Sequence, residues 1–342
     1  MHRLSQALET ALQGATGVAP NAYLTFLRAA CKEVEQAAAS NPSLVPIIDE
    51  LVRIAAGHNF VLDSMAVNEF AQKLGEAHFY CLCAAKGINL EKIPESQIKT
   101  PDFKWPCVPR PIRFEVKTLS VVDGERGIDN ALENAFTAQV EIEDQLVSGK
   151  RVATAVSEIA PYAGKPYKMP RLVAVIDTLL EKTRGNVKQD QFALPNTFLV
   201  VNLSVIPPSR TEIQTLRPVH WDDSLFPTPV TGDLWMLGFG QEGMLIHDVP
   251  EFEGKPCIQG IFKKHGILAD SHFDFVCGLL VVVHPWQRPA EVWGLFRSKD
   301  WSAWMDEPQQ PCKRIFDLVG HNWNDELDSN GFDLNGTSPA NP

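Results

Sequence analysis

Three prolines fall within seven residues, "WPCVPRP" (105–111), between two β-prone runs, "SQIKTPDFKW" and "IRFEVKTLSVV". Proline has no N–H to donate and its ring clashes with a preceding helical turn, so this link is not helical and suits a hairpin loop. The two runs are then adjacent strands. Side chains two residues apart on a strand share a face. Glu115 and Lys117 therefore stand side by side, while Val116 between them points the other way into the core. The ordinary reading of such a couple is an exposed ion pair on a half-solvated sheet, contributing less than about 1 kcal/mol. Whether it is more than that depends on the chain around it.

Upstream, the chain reads as helices. "SQALETALQ", "AYLTFLRAACKEVEQAAA" and "SLVPIIDELVRIAAG" repeat apolar residues every three or four positions and stop at Gly or Asn-Pro. "SMAVNEFAQKLGEAHFYCLCAAKG" (64–87) continues the pattern and ends at Gly87, a C-terminal glycine. Downstream, helical periodicity returns over 128–149 and over "PRLVAVIDTLLEKTRGNVKQ" (170–189), although the first half of the latter also reads as a strand. "NTFLVVNLSVI" (196–206) is apolar on both faces, as a central strand requires. Residues 207–233, rich in Pro and Asp, read as loop; "DLWMLGF", "GMLIHDV", "FVCGLLVVVHPW" and "AEVWGLFRS" read as further β pieces. The order of elements predicts an α/β chain with a mixed sheet flanked by helices, a helical N-terminal region over 1–60, a main domain over 61–325 with extra C-terminal strands, and a disordered tail over 326–342.

At 342 residues the chain is long enough for a substantial core, and 44% hydrophobic with 21% charged residues is ordinary globular composition. No run approaches the ~18 apolar residues that span a bilayer. "MHRLSQALET" lacks the apolar centre of a secretory leader, and seven scattered cysteines without a CxxC pair predict neither a disulfide framework nor a zinc ribbon. The expectation is a cytoplasmic protein with no membrane contact. A net charge of −11 argues against a surface that attracts nucleic acid everywhere, but is compatible with a local basic groove beside an acidic centre.

Glu76 in a helix, Asp102 in "TPDF" and Glu115-Val116-Lys117 in "FEVKT" occur in that order, with thirteen residues from Asp102 to Glu115. Acid-x-Lys alone means little in a chain with 42 acids and 31 Lys or Arg; Glu253-Gly254-Lys255 is another instance. The order of helical acid, Pro-Asp, hairpin and acid-x-Lys strand resembles the PD-(D/E)XK nuclease superfamily, the restriction-endonuclease-like fold, over about residues 64–120. The later helix and "TFLVVNLSVI" suit the rest of that core.

The resemblance implies a metal-dependent endonuclease, acting in restriction, repair or anti-phage defence, with Asp102, Glu115 and Lys117 as its catalytic centre. Glu76, Asp102, Glu115 and the Val116 carbonyl would be the ligands of Mg²⁺, with Mn²⁺ as substitute. Hard carboxylate oxygens suit Mg²⁺, and a bound ion polarises phosphate and acidifies its water. Lys117 would orient or deprotonate that water, or stabilise the developing anion. The implied partner is nucleic acid, DNA ahead of RNA, with a homodimer or defence-system proteins as further partners. The alternative is a nuclease-fold binding or interaction subunit, inactive alone.

Other features carry less. Glu69 competes with Glu76 as the helical acid, and Gln139, Lys188 and Gln189 are candidates for the polar residue that superfamily members often place on the following helix. Cys81 and Cys83 read as core. His272 with Asp274, and His247 with Asp248, lack a third ligand at suitable spacing. Arg288 and Arg297 among aromatics have a base-stacking reading beside a core one. "RPIR", "GKR", "GKPYK" and "KKH" are short basic clusters that read individually as ordinary surface. No GKS or GKT phosphate loop is present, so no built-in NTPase is expected.

Overall fold

The computed structural model describes residues 3–12, 22–60, 63–94, 100–107, 109–119, 137–155, 172–204, 219–221, 228–248, 257–283, 289–307 and 309–327. The chain forms two compact units, one of Met1–Cys81, Thr118–Pro170 and Leu203–Pro208, the other of Leu82–Lys117, Arg171–Asn202 and Ser209–Pro342. Pro170, Arg288, "GKPYK", Glu253–Lys255 and the tail beyond 327 lie outside the described residues.

The first unit is helical. It holds α1 (Arg3–Ala11), α2 (Ala22–Ala38), α3 (Val45–Gly57), the larger part of α4 (Ser64–Ala85), and helical residues 137–147, here α5. Helix α1 buries Leu4 and Leu8. Its first N–H groups, which have no partner inside the helix, are taken up by Glu35 of α2: Leu4 N and Ser5 N donate to Oε1 at 2.6 and 3.4 Å, and the Ser5 hydroxyl donates to Oε2 at 2.6 Å. Helix α3 places Ile47, Ile48, Leu51, Ile54 and Ala55 on its buried stripe, and the Phe60 and Phe70 rings meet edge to face at 5.2 Å.

The second unit is built on a seven-stranded mixed sheet in the order β1-β2-β3-β4-β9-β10-β11. These strands are Glu91–Lys92, Phe103–Trp105, Ile112–Thr118 (to Lys117 in this unit), Thr197–Asn202, Leu279–Val283, Glu291–Leu295 and Trp323–Asn324. Strands β1, β2 and β3 run antiparallel, with Phe103 opposite Phe114 and Trp105 opposite Ile112. Arg113 near the start of β3 donates its backbone N–H to Asn196, just before β4, so both strands begin at the same end of the sheet. The connection between them includes α6 (Leu172–Asn186), which is helical throughout and not a strand in its first half. Strand β4 is parallel to β9, and β9 antiparallel to β10. Every residue of β4 and β9 is buried, which explains the unbroken apolar runs Phe198–Val201 and Leu279–Val283. Gly87 closes α4 at φ 73°, a left-handed conformation that favours glycine. Among the described residues, no helix is long and apolar enough to cross a membrane.

Three expectations are corrected. "DLWMLGF" is not a strand but helix α7 (Asp233–Phe239), following Gly232 and with Leu234 to Phe239 all buried. A short run apolar on every side has no periodicity to separate a buried helix from a buried strand. The 207–233 region is not all loop: β5 (Val219–Trp221) pairs with β6 (Thr228–Val230). Three strands were not anticipated, β1, β8 (Cys257–Ile261) and β11; β8 pairs with β7 (Leu245–Asp248), and β11 runs parallel to β10. Helices α8 (Ser298–Asp306) and α9 (Ile315–Val319) complete the unit; Glu326 accepts from Ser298 at the start of α8.

Candidate active site

Strand β3 alternates strictly. Ile112, Phe114 and Val116 point to a buried face; Arg113, Glu115 and Lys117 point to the other. The polar row is not simply solvated, because Glu115 is only 2% exposed. Continuing the register in which Phe103 faces Phe114, Asp102 lies opposite Glu115, so both carboxylates emerge on the same face.

Pro101 cannot complete the ladder at this end. The next backbone pair would be Pro101 with Val116, but proline has no N–H to return to the Val116 carbonyl. The Val116 N–H instead donates to Asp102 Oδ2 at 2.8 Å. A carboxylate thus takes the place of a ladder carbonyl and is oriented by the neighbouring strand. A residue of an antiparallel ladder directs its N–H and C=O to the same neighbour, so the Val116 carbonyl also lies on the Asp102 side.

Lys117 Nζ lies 2.6 Å from Glu115 Oε1, with its side chain 19% exposed. Gln191 Nε2 donates to the same oxygen. Gln191 is the third residue of the short turn Gln189–Phe192 before β4, and its own Oε1 accepts the Lys188 N–H at 3.3 Å, which fixes the direction of the amide. The sequence pointed to Gln139, Lys188 and Gln189 for this role. Gln139 bonds Glu143 on α5 at 3.0 Å, and Lys188 and Gln189 are exposed. Gln191 was missed, although it stands two residues beyond Gln189.

Glu76 belongs to the first unit. There it meets Lys73 at 3.1 Å, and Lys73 also reaches Glu50 at 3.5 Å. Glu69, its competitor, is exposed. Gly75 does not leave open room beside Glu76: a Cβ there would sit 2.1 Å from Thr118 Oγ1.

Among the described residues, no group of three or more His, Cys, Asp or Glu side chains is arranged to hold a metal ion. Asp102, Glu115 and the Val116 carbonyl provide the hard oxygen donors that Mg²⁺ takes, and Mg²⁺ commonly uses only one or two carboxylates. The donor chemistry fits.

The remaining candidates are structural. Arg297 is buried and donates to the carbonyls of Leu268, Val276 and Phe273 at 3.0, 2.8 and 3.2 Å, so it ties a loop to the sheet and is not placed to stack on bases. The His272 ring packs on Phe273, and Asp274 faces Arg297. Burial, then Glu33, pushes the Cys81 thiol up to about 12, the behaviour of an inert core cysteine. In the first unit His78 lies 3.1 Å from Ser204 Oγ and 3.5 Å from Glu33, and Ser204 is buried.

Compared with known proteins, the chain matches no family model, no curated protein and no solved structure.

Proposed function

We propose that this chain is a metal-dependent nuclease of the PD-(D/E)XK kind, hydrolysing phosphodiester bonds with DNA as the favoured substrate. The observation that carries the reading is the register that sets Asp102 opposite Glu115, with Lys117 2.6 Å from Glu115. The succession of α4, the antiparallel β2 and β3, α6, and β4 beside β3 supports it, being the order the resemblance implies.

Asp102 and Glu115, with the Val116 carbonyl, would hold Mg²⁺ or Mn²⁺, which when bound supplies an acidified water and charge stabilisation on the phosphate. The chain's own groups have separate tasks. The Val116 N–H orients Asp102. Gln191 and Lys117 hold one oxygen of Glu115 and so fix the carboxylate plane. Lys117 brings a compact positive charge to the position where negative charge grows on the phosphate, and its three donors can steer a water. The test is metal-dependent nicking of supercoiled plasmid, with activity lost in Asp102→Asn.

One observation favours a second reading, a nuclease-fold binding or interaction subunit: the net charge of −11, which argues against a surface that attracts nucleic acid everywhere. Calorimetry separates the two. Mg²⁺ or Mn²⁺ binding that disappears in Asp102→Asn supports the nuclease, and no binding by wild type supports the subunit.

A further inference from the structure

Lys104 and Arg113 are direct cross-strand partners on β2 and β3. Their side chains therefore leave the sheet on the face that carries Asp102, Glu115 and Lys117. Like charges placed directly opposite on a ladder repel. Lys104 is relieved by its β1 partner Glu91, at 2.7 Å. Arg113 has no such relief: among the described residues it makes no ion pair, and its one side-chain hydrogen bond runs from Nη1 to the Pro195 carbonyl at 2.7 Å. Partial burial lowers its pKa with no carboxylate offsetting the effect.

The Pro195 bond also orients the group. A guanidinium has five N–H donors in a rigid fork, and one is used here. Its other edge is a ready bidentate partner for a phosphate. Two strand residues span about 7 Å, so this fork stands about that far along β3 from Glu115.

We propose that Arg113, assisted by Lys104, binds a backbone phosphate of a nucleic-acid strand laid across the β2–β3 face, one step along from the phosphate held at Asp102 and Glu115. The inference rests on the nuclease reading for the identity of its ligand, but binding at Arg113 needs no metal.

The experiment is fluorescence anisotropy of the full chain with fluorescein-labelled single-stranded DNA and RNA of one sequence, in EDTA and across a salt series. Arg113→Gln should weaken binding about tenfold, the size of one lost charge-assisted contact. It should also lower the salt slope by about 0.7, one phosphate contact on a single strand. Arg113→Lys should restore the slope while recovering only part of the affinity, and serves as well if the Gln variant folds poorly. Lys92→Gln is the control, since Lys92 lies over the Phe103 ring on the opposite face. The tighter of the two strands names the natural backbone. No binding by wild type, or wild-type affinity and slope in folded Arg113→Gln, overturns the inference. Arg113-dependent binding with no cutting in Mg²⁺ keeps it and removes the nuclease reading; cutting with unchanged Arg113→Gln affinity does the reverse.

Discussion

Gln191 Nε2 donates to Glu115 Oε1 across 76 residues of chain, from the turn before β4 to the middle of β3. Lys117 reaches the same oxygen, so Glu115 is buried but not bare. Replacing Gln191 with Leu keeps the volume and removes one donor to a charged acceptor. We expect a loss of about 1.5–3 kcal/mol in urea unfolding. Gln191→Glu should cost more, because it sets a second carboxylate against the first. Equal stability of wild type and both variants would mean that Gln191 does not hold Glu115.

Gly75 lies inside α4, where Gly→Ala normally gains about 1 kcal/mol of helix propensity. The sign should reverse here. The added Cβ would meet Thr118 Oγ1, Cγ2 and Cβ at 2.1, 2.6 and 2.9 Å, and overpacking of this kind costs about 1–3 kcal/mol. Because the contact is with one side chain, Thr118→Ala should recover part of the loss in the double variant. A Gly75→Ala protein more stable than wild type would contradict the packing described.

His247 is buried, and burial pulls its pKa below the ordinary histidine value. The unfolded chain therefore takes up the proton first, and stability falls as pH drops through the unfolded value near 6.5. The decline ends below the folded pKa, where both states are protonated. Unfolding free energies measured between pH 8 and about 5 should show this slope in wild type and a shallower one in His247→Gln. Identical slopes would remove His247 as a source of acid sensitivity.

The legible part of the fold was the part governed by local rules. The prolines at 106, 109 and 111 specified the hairpin, strict alternation set the faces of Glu115, Val116 and Lys117, and glycine at 87 marked the end of α4. Pro101 was legible only as half of a Pro-Asp pair; its effect on the Val116 carbonyl needs the strand register. Gln191 was not legible because its partner is 76 residues away and its direction depends on the turn that returns the chain to β4. Helix α7 was misread because six consecutive buried residues carry no periodic signal. Base stacking and core stayed open for Arg297 because sequence does not reveal carbonyls arriving from Leu268, Phe273 and Val276.

The proposed hydrolytic centre is Asp102, Glu115 and Lys117. The most direct measurement is cleavage of supercoiled plasmid, single-stranded DNA and RNA by wild type and Lys117→Ala, each in Mg²⁺, Mn²⁺ or EDTA. Circular dichroism of both proteins provides the check on folding. Cutting should require metal and fall at least about a hundredfold in a folded Lys117→Ala, the lower end for loss of one positioned proton-transfer or charge-stabilising group. Full activity in that variant, or cutting by wild type that persists in EDTA, would contradict this assignment.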